Sequence, residues 1–120
     1  MDERAAGQIA TQHLIDLGHR RIGFVAGPKR FLPTREKLAG RQLALSSAGI
    51  SEDEALVAHA PFSVAGGRRA LRELLALGPA RPTGVICSSD LMASGALQEA
   101  RAAGLRVPAD LSIVGFDGID

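Results

Sequence analysis

Four short apolar runs, each separated from the next by a stretch with helical periodicity, constrain this chain more than any other feature. The runs are IGFVA at 22–26, LVAHA at 56–60, GVIC at 84–87 and LSIVG at 111–115. IGFVA and GVIC are apolar throughout and are bracketed by charged residues, glycine, proline or serine. That is the signature of strands covered on both faces of a parallel sheet rather than on one. LVAHA is a weaker strand, because His59 and its alanines favour the extended state little.

Between the runs the period changes to that of a helix. Over 3–17, Ile9, His13, Leu14 and Leu17 recur at helical spacing, and Gly18 is placed as a C-terminal cap. A second helix is expected over 35–48, ended by Gly49. Ser63 caps a third over 64–77, whose apolar face is Ala70, Leu71, Leu74 and Leu75, and Gly78 with Pro79 stops it. A fourth, over 90–103, carries Leu91, Met92, Ala96, Leu97 and Ala100 before Gly104. Strands alternating with helices across short connections require parallel βαβ units with right-handed crossovers. The expected fold is therefore α/β, a parallel sheet of about four strands flanked by helices. At 120 residues it forms one domain around one core.

Composition removes several function classes. Fourteen Lys and Arg against thirteen Asp and Glu, a formal net charge of +1, leave little field with which to grip a phosphate backbone directly. No apolar run approaches the roughly 18 residues of a membrane span, and MDERAAGQIA lacks the basic-then-apolar layout of a secretory leader, so the expected compartment is the cytoplasm, with no membrane partner. Cys87 is the sole cysteine, and no His/Cys cluster has ligand spacing, so neither a disulfide nor a metal is expected. Neither GxGxxG nor GxxxxGK[ST] occurs, and no cofactor is expected. His13, His19 and His59 show no nucleophile spacing. Asp90 and Asp117 could form an acid/base pair, but nothing else supplies a nucleophile or metal, so no enzyme is expected.

In an open parallel sheet, ligands bind beyond the carboxyl ends of the strands, where the strand order reverses. A flavodoxin-like order, 2-1-3-4, opens that crevice between strands one and three. The loops there carry Lys29, Arg30, Arg35 and Lys37 after strand one, and Phe62 and Ser63 after strand two. Ser88, Ser89 and Asp90 follow strand three, and Phe116 and Asp117 follow strand four. Cations, carboxylates, hydroxyls and an aromatic face together suit a small polyhydroxylated molecule, a sugar or a nucleobase. Each residue also has a plainer use. Ser89 and Asp90 are good helix caps, Asp117 in GFDG is a good turn residue, Phe62 a good core residue, and Arg35 and Lys37 flank Glu36 on what would be a solvated face.

Four segments, HLIDLGHRRIGFVAGP (13–28), TREKLAGRQLAL (34–45), SSDLMASGAL (88–97) and GLRVPADLSIVGFDGID (104–120), resemble the effector-binding core of LacI/GalR bacterial transcription regulators, in the same order and at similar spacing. The resemblance implies a periplasmic-binding-protein-like (type I) core of two α/β lobes with a small effector, usually a sugar and sometimes a purine, in the cleft between them. It implies that residues 1–120 are a single lobe, mainly the second, with the helix-turn-helix and the first lobe absent from this sequence.

Carried over by position, the family's effector-contacting Arg falls on Lys37, replacing a bidentate fork with a point charge. The aromatic contact after the second strand falls on Phe62. The usual Asn-Asp pair reads Ser89-Asp90, and the Asp that closes on ligand hydroxyls is Asp117. The family pairs protomers partly through the helices corresponding to 64–77 and 90–103, so a homodimer is expected, with operator DNA reached only through a DNA-binding domain. The implied function is effector sensing and dimerisation. The alternatives are a lobe of a transport-system sugar receptor, or a small hydrolase or isomerase using Asp90 and Asp117.

Overall fold

A computed structural model describes residues 2–116. In chain order the elements are α1 (Glu3–Asp16), β1 (Ile22–Ala26), α2 (Leu32–Ser47), a 3-10 turn over Glu54–Leu56, β2 (Val57–His59), α3 (Val64–Leu75), a second 3-10 turn over Gly78–Ala80, β3 (Gly84–Cys87), α4 (Asp90–Ala102) and β4 (Ser112–Gly115). The strands form one parallel sheet ordered β2-β1-β3-β4, the order expected from the sequence. Phe24 of β1 pairs with Val57 on one side and Ile86 on the other, and Ile86 pairs in turn with Val114. No described helix is long and apolar enough to cross a membrane.

The pleat divides the strand residues between two cores. Ile22, Phe24, Ala26 and Ile86 face α1 and α2, meeting Ala10, Leu14, Leu45 and Phe116. Val25, Val85, Cys87 and Ala58 face α3 and α4, meeting Leu71, Leu74, Met92, Ala96, Ala100 and Leu111. β1 and β3 are buried along their whole length, which is why their sequences do not alternate.

Element ends move for identifiable reasons. α2 starts at Leu32 instead of 35 because Pro33 falls in its first turn, where a missing N–H costs nothing. β2 is shorter than 56–60 because the Asp53 carboxylate accepts from Ala55 N at 3.0 Å and closes Leu56 into the 3-10 turn. α3 ends at Leu75, and Gly78, at φ +63°, turns the chain into the second 3-10 segment.

The apolar face expected for the first helix is corrected. Ile9 and Leu17 are 67% and 63% exposed, and the buried stripe is Gly7, Ala10, Thr11 and Leu14. Small residues win that face because α1 lies flush against α2: a Cβ on Gly40 would overlap the Arg4 carbonyl. α3 and α4 approach the same way on the other side of the sheet, where a Cβ on Gly95 would overlap the Val64 carbonyl.

Candidate functional site

Parallel strands deliver all their following loops to one edge, and there α2, α3 and α4 begin. Buried Gly27 follows β1, and the tip of the Phe62 ring lies against it so closely that any side chain there would overlap the ring. Phe31 meets Phe62 edge-on, with centroids 5.7 Å apart and planes at 74°. Phe62 is 39% exposed, so it is not a core residue: it rests on the end of β1 and keeps part of its surface open to solvent. His59 is held at the same place by Nδ1, 2.9 Å from the Gly27 carbonyl.

Two buried hydroxyls lie at this edge. Thr34 is in the first turn of α2, and its Oγ1 would be 2.9 Å from a Cβ at Gly27. Ser88 follows β3, with its N–H donating to the Val25 carbonyl at 3.0 Å. Neither hydroxyl has a hydrogen-bond partner among the described residues. Sequence reasoning named Ser88 but missed Thr34, whose only signal was a small polar residue one step past a first-turn proline.

Ser89 caps α4, its Oγ accepting from Met92 N at 3.2 Å, so the capping use is realised. Asp90, the first residue of α4, is exposed, and its Oδ1 lies 3.7 Å from where a Cβ on Gly115 would be, between the ends of β3 and β4. Lys37 is not a solvated charge. Its side chain is 13% exposed, Nζ is 3.1 Å from Glu3 Oε1, and it stands 4.8 Å from the centroid of the Phe116 ring. An ammonium over an aromatic face and beside a carboxylate is fixed in place while its other protons stay available to an acceptor.

Arg35 does not join Lys37. It projects from another face of α2 and lines a depression of about 560 Å³ along the outer edge of β2, together with Lys29, Glu52, Glu54, Val57 and His59. Asp117 lies outside the described residues. Below the crevice, burial pushes the Cys87 thiol up to about 12, which keeps it neutral and unreactive. No group of three or more His, Cys, Asp or Glu able to hold a metal ion occurs among the described residues. The edge thus combines an aromatic face, a cation held by a carboxylate and a ring, a further carboxylate and hydroxyls.

Comparison with known proteins agrees with this fold. Residues 11–120 match the periplasmic binding protein-like domain family. The chain is 50% identical over 119 residues to an uncharacterized HTH-type transcriptional regulator in the aml 5' region of Streptomyces limosus, covering 97% of this chain and 33% of that protein. It is 43% identical to the HTH-type transcriptional repressor CytR of Escherichia coli K12, covering 100% of this chain and 35% of that one. Among solved structures, the transcriptional regulator CelR–cellobiose complex superposes with a TM-score of 0.91 at 43% identity, over 96% of this chain and 35% of that chain. The chain therefore spans about a third of the length of the curated relatives it matches. From the matched family, the shared fold and these relatives, the chain belongs to the periplasmic binding protein-like domain family, in the form found as the effector-binding region of LacI/GalR transcriptional regulators.

Proposed function

We propose that this chain is the second lobe of a LacI/GalR-type effector core and that it senses a small polyhydroxylated effector, a sugar or a nucleobase-bearing compound, at the carboxyl edge of its sheet. The observation that carries this reading is the arrangement of Phe62, Lys37, Ser89 and Asp90 around the ends of β1, β3 and β4. Phe62 covers an apolar ring face, Asp90 accepts from ring hydroxyls, and Lys37 donates to a ring or hydroxyl oxygen. The family resemblance assigns the same hydroxyls to Asp117, which lies outside the described residues. The similar CelR structure holds cellobiose, which supports a sugar as the first class to test.

The lobe binds its ligand and does not turn it over, a reading supported by its relatives, which are transcriptional regulators. It works in the cytoplasm, reaches operator DNA through a separate DNA-binding domain, and pairs with a second copy through α3 and α4. One lobe alone removes only part of the effector from water, so its own affinity is on the order of millimolar.

The test is thermal unfolding of the protein extended to include its other lobe, against cellobiose, maltose and a set of nucleosides. A ligand at a hundredfold excess over its Kd stabilises by about 2.7 kcal/mol, an upward Tm shift of several degrees. That shift should vanish in Asp90→Asn and shrink in Phe62→Ala. A shift that survives both substitutions would place the effector elsewhere.

A further inference from the structure

The outer edge of β2 is a groove whose charges are sorted by sign. At the carboxyl end of the strand stand Lys29 and Arg35; at the amino end, on the segment leading into the 3-10 turn, stand Glu52 and Glu54. Lys29, Arg35 and Glu54 are exposed, and none of them forms an ion pair among the described residues. Glu52 is already engaged by Arg41. The floor between the two ends is apolar, made by Leu38, Ala39 and Val57.

The strand's backbone is open on the same side. β2 is the terminal strand of the sheet, and Ala60 N–H donates inward to the Ala26 carbonyl at 2.9 Å. Since backbone groups alternate sides along a strand, those of Val57 and His59 point outward. The Val57 N–H is taken by the Glu54 carbonyl, which leaves the Val57 carbonyl and both backbone groups of His59 open on this side.

Edge charges usually serve to repel another strand. Sorted charges do the opposite under one symmetry. A two-fold axis normal to the sheet, midway between Ala58 and its copy, runs a second β2 antiparallel to the first. It brings the Lys29 and Arg35 end of each copy against the Glu54 end of the other, and lets each His59 N–H donate to the opposite Val57 carbonyl. We propose that this edge is a self-complementary docking surface for a second copy of the chain, joining two sheets through β2. It is separate from the α3 and α4 pairing proposed above and does not depend on the effector reading. Two main-chain bonds and a few exposed ion pairs make it a weak, salt-sensitive contact.

Sedimentation velocity of the 120-residue chain across a concentration series, at low and high salt, tests the surface through charge reversal. Arg35→Glu puts like charges together at both ends of the homodimer, and so does Glu54→Lys. Each should weaken self-association by about tenfold or more, as high salt should for the unaltered chain. Mixed in equal amounts, the two variants form a fully complementary pair and should associate again, as should the double variant alone. In the unaltered chain, hydrogen exchange at the His59 amide should slow as concentration rises. A chain that stays monomeric throughout, or a dimer indifferent to both reversals and to their mixing, would overturn the proposal; the latter result would assign the pairing to another face such as α3 and α4.

Discussion

Arg41 is the clearest case of a residue whose role depends on neighbours distant in sequence. Its guanidinium is 1% exposed, with Nη1 2.7 Å from both carboxylate oxygens of Glu52 and Nη2 2.9 Å from the Ile22 carbonyl. It ties the middle of α2 to the start of β1 and to the loop before β2. Removing Glu52 would leave a buried charge uncompensated. Breaking a fully buried pair costs about 3–5 kcal/mol; because the Glu52 side chain is 31% exposed, Glu52→Ala should cost less, about 2–3 kcal/mol, measured by urea unfolding. Nothing in the spacing of Arg41 and Glu52 announces this, since eleven residues of helix and loop separate them. Lys37 is similar. Its place after strand one was legible, but the Glu3 and Phe116 that hold it come from the two ends of the chain.

β1 and β3 were legible because burial on both faces leaves a run of apolar residues with nothing polar to blur it, whereas β2 and β4, only partly buried, carry His59 and Ser112. α1 was misread because its contact face is built from Gly7, Ala10 and Thr11, whose value lies in being small and which add little to an apolar period. α3 and α4 are joined on their outer side by Glu99, whose carboxylate lies 3.1 Å from Arg72 Nε and 3.2 Å from Arg68 Nε. Arg72 foremost, with Arg68, holds the Glu99 carboxyl below its ordinary range. A carboxylate depressed on folding contributes stability that is fully present above its unfolded pKa, about 4.3, and is lost as pH falls through its folded value. Unfolding midpoints should therefore drop below about pH 4.3, and Glu99→Gln should flatten that part of the profile while lowering stability at neutral pH. An unchanged acid limb in Glu99→Gln would mean that the bridge contributes nothing measurable.

For the molecule as a whole, strand order followed from the βαβ alternation, and with it the edge where the loops after the strands gather, because crossover handedness and short connections leave few other arrangements. Which side chains share that edge did not follow. Arg35 and Lys37 are two residues apart, and the turn of the helix sends one to the β2 groove and the other over Phe116. On the function proposed above, a small effector meets this lobe at the carboxyl ends of β1, β3 and β4. The most direct measurement is an amide-resolved NMR titration of the chain with the sugar or nucleoside that stabilises the two-lobe protein. Weak, saturable shifts should cluster at Gly27, Lys37, Phe62, Ser89 and Asp90. Shifts confined to the β2 groove, or none at concentrations that saturate the two-lobe protein, would contradict it.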